Sequence, residues 1–180
     1  GVPQSYTKAA EWYQKAADQG NGRAQLSLGY MYREGQGVPK NDTKSAEWYQ
    51  KAADQGNVVA QLYLGYMYGH GQGVPKNDTK AAEWYQKAAD QGNATAQLNL
   101  GNLYDAGEGV PKNDTKAVEW YQKAADQGLA IAQALLGYMY DNGKGVPQNY
   151  TKAVEWFQKA ADQGDAGAQL NLGAMYEYGQ

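Results

Sequence analysis

Apolar and polar side chains recur with a helical period from the start of the chain. Between Lys8 and Gln19 the small and aromatic residues are spaced i, i+3, i+4, i+7 and i+8, which places them on one face of an α-helix. On the polar face we expect Glu11 to pair with Lys15, in the favourable i to i+4 order. The helix is predicted to end at Gly20, a residue suited to a left-handed C-terminal cap. The apolar positions are Ala9, Trp12, Tyr13, Ala16 and Ala17.

A second helix is predicted from Gly22 or Arg23 to Glu34. Its apolar residues lie on two sides, because Leu26 and Gly29 fall apart from the main face. A helix that is apolar on two sides fits the middle of a packed array. Glycine inside a helix costs up to about 1 kcal/mol relative to alanine, so we expect another helix to cross there too closely for a Cβ. The main face consists of Ala24, Leu28, Met31 and Tyr32.

This helix pair recurs every 36 residues. A period in this range is typical of a solenoid whose repeats each contact their neighbours. The sequence therefore predicts an all-α solenoid of five 36-residue helix-turn-helix repeats, forming one array over residues 1–180. The repeats are 1–36, 37–72, 73–108, 109–144 and 145–180, and the tripeptide Gly-Val-Pro opens them at Gly1, Gly37, Gly73, Gly109 and Gly145.

Short polar residues precede the first helix of each repeat. Ser5 or Thr7 in the first repeat, and Asn41, Asp42 or Thr43 in the second, can accept hydrogen bonds from the free N–H groups of the first turn. The same Asn-x-Thr pattern matches a glycosylation acceptor. We favour helix capping, because the pattern is repeated with the helix itself.

The composition excludes several classes of function. A net charge of −3 and a pI near 5.2 give no basic field for nucleic acid or an anionic membrane. The chain has no cysteine, which excludes disulfides and thiolate metal sites. No apolar run approaches the roughly 18 residues of a membrane span, so we expect no membrane insertion. Because the chain lacks an initiator Met and begins on a repeat boundary, we interpret it as an excised or processed segment.

The residues offer no catalytic constellation. His70 is the only histidine, and we interpret it as a surface residue without a base, nucleophile or second metal ligand beside it. The carboxylates that depart from the repeat, Asp105, Glu108 and Asp141, are interpreted as solvated. We therefore predict no catalytic residue, no cofactor and no metal, and no enzymatic activity.

One aromatic position of the first helix has lost a hydroxyl in the last repeat. Phe157 stands where the other repeats have Tyr13, Tyr49, Tyr85 and Tyr121. From this difference we expect the ring to pack in the core and the oxygen to be dispensable.

Most differences between repeats follow one stripe of the second helix, spaced i, i+4, i+7 and i+11. This variable stripe comprises the positions of Arg23, Ser27, Tyr30 and Glu34 and their equivalents in the other repeats. Two interpretations are open: a solvated or partly packed face that drifts, or the repeat-specific part of a binding surface. Half of the positions are apolar or aromatic, which favours binding. The constant polar face of the first helix is a second candidate surface. On the variable stripe, the candidate partner-binding residues are Arg23, Tyr30, Val59, Tyr63, Tyr66, His70, Asn99, Asn102, Ile131, Leu135, Tyr138 and Tyr178.

The motif of each repeat resembles the Sel1-like repeat, a relative of the tetratricopeptide repeat. It reads Lys-Ala-x-Glu-Trp-Tyr-x-Lys-Ala-Ala-x-x-Gly, then Ala-Gln-x-x-Leu-Gly-x-Met-Tyr, then Gly-x-Gly-Val-Pro. The resemblance implies a right-handed α/α superhelix that acts as a non-enzymatic scaffold for a protein or peptide, often bacterial and envelope-associated or secreted.

Two alternatives to a scaffold stay open. One is a structural spacer that self-associates head to tail, because the repeats are nearly identical and the ends lack distinctive polar caps. The other is a small-ligand-binding or hydrolytic protein, by analogy to family members that resemble β-lactam-binding proteins. Those relatives carry a cysteine pair in each repeat, and this chain has none.

Overall fold

The computed structural model describes residues 3–179 of the chain. These residues form ten α-helices of 13 residues each and contain no strand. The helices alternate between the first and the second helix of each repeat, so the predicted all-α solenoid of helix-turn-helix repeats is confirmed. In chain order the helices are α1 (Tyr6–Asp18), α2 (Gly22–Glu34), α3 (Asp42–Asp54), α4 (Val58–His70), α5 (Asp78–Asp90), α6 (Ala94–Ala106), α7 (Asp114–Asp126), α8 (Ala130–Asn142), α9 (Tyr150–Asp162) and α10 (Ala166–Tyr178).

Side-chain caps fix where the described helices begin, except at α8, which follows Leu129 without one. The backbone N–H of Lys44 donates to Oδ1 of Asn41 at 2.9 Å, which confirms the capping interpretation of the Asn-x-Thr pattern. Ser5 caps α1 in the same way, so α1 begins at Tyr6, two residues earlier than predicted. The left-handed glycine predicted after α1 is present, with φ of +88° at Gly20. The same asparagine cap starts three further helices, at Asn77, Asn113 and Asn149.

The helices are grouped in two compact units. The N-terminal unit, Gly1–Gln91, contains α1 to α5, and the C-terminal unit, Gly92–Gln180, contains α6 to α10. Within each unit every helix packs on the next one along the chain. The single array over residues 1–180, with its boundaries every 36 residues, stays a prediction.

The predicted apolar faces of the first and second helices together form the core of each unit. In the second repeat Trp48 is 8% exposed and Tyr49 is fully buried. Their equivalents in the first repeat, Trp12 and Tyr13, are 66% and 40% exposed, because no described helix packs on that side of α1. Burial of these aromatic side chains therefore depends on a neighbouring repeat, as expected for a stacked array.

The recurring glycine of the second helix marks a close helix crossing, as predicted. A Cβ at Gly29 would lie 2.5 Å from Cδ1 of Tyr49, which is closer than packed carbon atoms approach. The aromatic ring of α3 thus occupies the space that an alanine methyl group in α2 would need. The same arrangement recurs at Gly65, Gly101 and Gly137.

Buried glutamines connect successive repeats, a role that the sequence analysis missed. Nε2 of Gln55 donates to Oε1 of Gln25 at 2.7 Å, and Nε2 of Gln25 donates to the backbone carbonyl of Ala17 at 3.2 Å. The chain of bonds satisfies a buried polar side chain and a carbonyl at the end of α1. A signal was present, since every repeat has glutamine at both positions. The equivalent bonds join Gln91 to Gln61, Gln127 to Gln97 and Gln163 to Gln133.

The lysine of the first helix lies over the tryptophan ring, and the predicted pair with Glu11 is wrong. Nζ of Lys15 lies 4.2 Å from the ring centroid of Trp12. The negative face of the indole attracts the ammonium group, and the lysine stem covers apolar surface. The same contact recurs between Lys51 and Trp48, Lys87 and Trp84, Lys123 and Trp120, and Lys159 and Trp156.

Candidate functional site

The variable stripe lies on the even-numbered helices and is largely exposed to solvent. In α2, α4, α6 and α8 the second position of the stripe is partly buried and the other three are exposed. In α10 all four positions are exposed, including Tyr178. The stripe therefore presents aromatic and aliphatic side chains to solvent. The partly buried members are Ser27, Tyr63, Asn99 and Leu135.

In the N-terminal unit the stripe borders an open cavity of about 420 Å³. The walls come from α1, α2, α3 and α4, and Val59 is among the lining residues. In the part of the chain that the structure describes, none of the lining side chains is charged. We call this cavity the tyrosine pocket, because its described lining includes Tyr6, Tyr13, Tyr30, Tyr49 and Tyr63.

The hydroxyl of Tyr49 is the unusual feature of the tyrosine pocket. The side chain is fully buried, and its oxygen has no hydrogen-bond partner among the described residues. Its ring stacks on that of Tyr63, with the centroids 5.2 Å apart. Burial raises the pKa of Tyr49 well above that of an ordinary tyrosine, so the hydroxyl stays protonated and remains a donor. An unpaired buried polar group costs about 1–3 kcal/mol.

The C-terminal unit satisfies the equivalent hydroxyl. The O–H of Tyr121 donates to Oδ1 of Asn102 at 2.8 Å. Asn102 holds the position in its repeat that Tyr30 holds in the first. Asn102, a candidate partner-binding residue, thus pairs with a buried side chain of the next repeat, and the expected dispensability of the tyrosine oxygen stays a prediction. In the last repeat Phe157 has no hydroxyl to satisfy, and Tyr138 holds the position of Asn102.

Arg33 lies beside the tyrosine pocket and was missed by the sequence analysis. Its guanidinium carbon lies 4.2 Å from the ring centroid of Tyr63 and 5.3 Å from that of Tyr30. Its Nε donates to Oε1 of Glu34 at 2.7 Å. A signal existed, because only the first repeat has a basic residue there. The equivalent residues are Gly69, Asp105, Asp141 and Glu177.

The single histidine of the sequence makes two local contacts with Tyr66. His70 is exposed, and its ring stacks on Tyr66 with the centroids 3.9 Å apart. Its Nδ1 lies 2.9 Å from the backbone carbonyl of Tyr66. Among residues 3–179 there is no group of three or more His, Cys, Asp or Glu side chains that could hold a metal ion. No described helix combines the length and the apolar character needed to cross a membrane.

Comparison with known families accounts for the whole length of the chain. The family model for the Sel1 repeat matches residues 1–21, 22–57, 58–93, 94–129, 130–165 and 166–180. The chain belongs to the Sel1 repeat family. Members of the family are generally protein-interaction scaffolds and are typically non-catalytic. No curated protein matches the sequence.

Solved structures of several bacterial proteins are similar to this chain. A protective antigen of uropathogenic Escherichia coli is 43% identical with a TM-score of 0.96, covering 99% of this chain and 38% of its own. A Sel1 repeat protein from Oxalobacter formigenes is 37% identical with a TM-score of 0.87, covering 100% and 72%. An immunity protein from Pseudomonas aeruginosa is 29% identical with a TM-score of 0.54, covering 93% and 62%. The chain thus spans less than half the length of the Escherichia coli antigen.

One difference among the Sel1 repeats of this chain is an ion pair in the C-terminal unit. Nζ of Lys144 contacts Oδ1 of Asp105 and lies 4.0 Å from Oδ1 of Asp114. The hydrogen bond that Nζ donates to Asp105 is the main reason why the pKa of Lys144 is raised. The interpretation of Asp105 as solvated is therefore wrong. Because the groups are about one-third exposed, the pair adds modest stability.

Proposed function

We propose that this Sel1 repeat chain is a non-enzymatic scaffold that binds a protein or peptide through the variable stripe. The observation that carries the proposal is the exposure of aromatic and aliphatic side chains at stripe positions. Exposed aromatic residues are enriched in protein interfaces and often dominate their binding energy. The exposed members are Tyr30, Val59 and Tyr66 in the N-terminal unit and Ile131, Tyr138 and Tyr178 in the C-terminal unit.

The outward face of the first helices is a weaker candidate surface. Its polar side chains bond to each other, as Nε2 of Gln50 donates to Oδ1 of Asp54 at 2.8 Å. The same pair forms on α7, between Gln122 and Asp126 at 2.7 Å. Polar groups that already have hydrogen-bond partners offer less to a ligand. The stripe tyrosines offer apolar surface, and its removal from water on binding is favourable.

The test is a binding measurement with single alanine variants. Peptides selected from a random display library on the immobilised chain would be labelled and titrated by fluorescence polarisation. We expect Tyr66→Ala or Tyr138→Ala to weaken binding about tenfold or more, because truncation of an interface hot spot costs about 2 kcal/mol. Both side chains are exposed, so the fold should be unaffected.

Matched controls come from the outward face. Gln50→Ala and Gln122→Ala remove partly exposed side chains from the same two units and are expected to leave affinity unchanged. Equal affinity for the stripe variants and the unmodified chain would argue against this binding surface. Loss of binding in the outward-face variants would move the site to the first helices.

Self-association is a second candidate, favoured by two exposed faces that match. On α1, Trp12 and Tyr13 are exposed although their equivalents in the second repeat are buried. On α10, Leu170 is exposed, and a Cβ at Gly173 would meet no described atom within 4 Å. At the equivalent glycines an aromatic ring of the next repeat fills this space. We propose that α1 of one copy stacks on α10 of another.

Light scattering over a concentration range tests this stacking. We expect the mass to rise above the 19.6 kDa of one chain as concentration increases. Trp12→Lys should hold the mass at that of a monomer, because it places a charge in the apolar contact. Gln50→Lys on the outward face is the control and should associate like the unmodified chain. A constant monomer mass at the highest concentration contradicts self-association.

A further inference from the structure

The tyrosine pocket contains a donor that its own unit leaves unpaired. Asn102 accepts from Tyr121 in the C-terminal unit, but Tyr30 holds the corresponding position beside Tyr49. No described atom accepts a hydrogen bond from the buried hydroxyl of Tyr49, a residue that lines the pocket. An acceptor brought by a bound partner would remove the cost of this buried, unpaired group.

Helix α2, which forms one wall of the pocket, is net positive, with two arginines and one glutamate. The only two arginines of the chain, Arg23 and Arg33, both lie on α2. Glu34 bonds to Nε of Arg33 and offsets one of the two charges. The remaining guanidinium N–H groups of Arg33 suit a carboxylate, since arginine binds carboxylates through several donors at once. A ligand with negative charge next to an uncharged part would therefore match the pocket and its edge.

The shape and lining of the pocket suit an aromatic side chain. About 420 Å³ of open space is bordered by tyrosine rings and by Leu26 and Met31, with no charged side chain among the described lining residues. Aromatic rings packed on one another gain more than their buried area alone provides. A flanking backbone carbonyl reaches the donor of Tyr49 once a covering side chain shifts, because this hydroxyl is buried in the free chain.

We propose that the tyrosine pocket binds an acidic peptide segment by enclosing one of its aromatic side chains. A peptide carbonyl accepts from Tyr49, and carboxylates on either side of the aromatic residue pair with Arg33 and Arg23. This proposal rests on the proposed scaffold function and assigns one site and one ligand chemistry to it. The pocket belongs to the N-terminal unit alone.

The probe is a fluorescein-labelled pentapeptide with tryptophan at its centre and two glutamates on each side, titrated by fluorescence polarisation. We expect Tyr49→Phe to weaken its binding about three- to tenfold, the effect of one hydrogen bond. Tyr30→Asn should weaken it at least as much, because it removes an aromatic wall and supplies the acceptor that Asn102 supplies to Tyr121. Arg33→Gln should weaken binding and flatten its dependence on salt concentration.

The C-terminal unit provides the matched control. Tyr121→Phe removes the equivalent hydroxyl in the other unit and should leave peptide affinity unchanged. The two hydroxyl deletions should also differ in thermal unfolding. Tyr49→Phe should keep or raise the melting temperature, because it removes an unpaired group, and Tyr121→Phe should lower it, because it breaks a bond. A lowered melting temperature for Tyr49→Phe would show that the hydroxyl is already paired, which overturns the proposal.

Control peptides separate the two parts of the ligand. Replacing the central tryptophan by alanine, or the four glutamates by lysine, should abolish measurable binding. If both control peptides bind as well as the acidic one, the stated chemistry is wrong. If library-selected peptides bind through Tyr66 or Tyr138 while the three pocket variants bind normally, the scaffold function stands and the pocket proposal fails. If stripe variants and pocket variants all bind like the unmodified chain, both fail.

Discussion

Replacing Gly65 by alanine is expected to destabilise the N-terminal unit by about 2 kcal/mol. The new Cβ would lie 2.6 Å from Cδ1 and 2.7 Å from Cε1 of Tyr85, whose ring is buried between α4 and α5. Overpacking of this kind typically costs about 1–3 kcal/mol, and a contact this short belongs at the upper end. The better helix propensity of alanine returns up to about 1 kcal/mol. Urea unfolding followed by circular dichroism would measure the difference.

The control for Gly65→Ala is the same change at the equivalent glycine of the last repeat. A Cβ at Gly173 would meet no described atom within 4 Å. Only the helix propensity should then act, and Gly173→Ala is expected to stabilise the chain by up to about 1 kcal/mol. If the two variants change the free energy of unfolding in opposite directions, the glycine at position 65 is required by the close helix crossing. Equal effects would mean that Gly65 is present for another reason.

The helices and their buried faces could be predicted because they follow from local spacing. The interior glycine at position 29 is conspicuous in any helix, so a close crossing could be expected from it. Its partner could not be named, because Tyr49 belongs to the next repeat and both Trp48 and Tyr49 were apolar candidates. The glutamine bonds were missed for the same reason. Gln25 and Gln55 lie 30 residues apart, and nothing local to either one indicates that they meet.

The candidate site was predicted only in part. Helical spacing placed Tyr30 and Tyr63 on the variable stripe. In the structure Tyr30 is exposed and Tyr63 is partly buried. The pocket also needs Tyr6 and Tyr13 from α1, residues that the repeat pattern assigns to a cap and a core face. The unpaired hydroxyl of Tyr49 depends on which side chain the preceding repeat places beside it. An unpaired hydroxyl of this kind depends on two residues in different repeats, here Tyr30 and Tyr49. It therefore leaves no periodic signal in the sequence.

The invariant Gly-x-Gly-Val-Pro segment also follows from contacts between repeats. Gly71 caps α4 in the left-handed conformation, and Gly73 follows with φ of +68°. At Gly73 a Cβ would overlap the backbone carbonyl of Asp42, at the start of the preceding first helix. The loop therefore lies directly against the first turn of α3, and the repeat length is fixed by backbone packing as well as by the helices.

Gly73→Ala is accordingly expected to destabilise the N-terminal unit by about 3 kcal/mol or more. Alanine at a positive φ costs about 1–2 kcal/mol by itself. The overlap with Asp42 adds to this cost, because a backbone carbonyl in a capped helix cannot rotate away as a side chain could, and the new Cβ would also lie 2.7 Å from the backbone nitrogen of Thr43. The same urea titration, with the midpoint and slope both recorded, would measure the loss.

Gly56→Ala separates the two contributions within the same unit. Gly56 has φ of +84°, but a Cβ there would meet no described atom within 4 Å. This variant should therefore show only the conformational cost of about 1–2 kcal/mol, and the difference between the two variants measures the backbone contact. If Gly73→Ala costs no more than Gly56→Ala, the loop does not hold α3 in place. If it costs more, the loop helps to position α3, and Tyr49 with it, so that Gly73→Ala should also weaken binding of the acidic peptide, whereas Gly56→Ala should not.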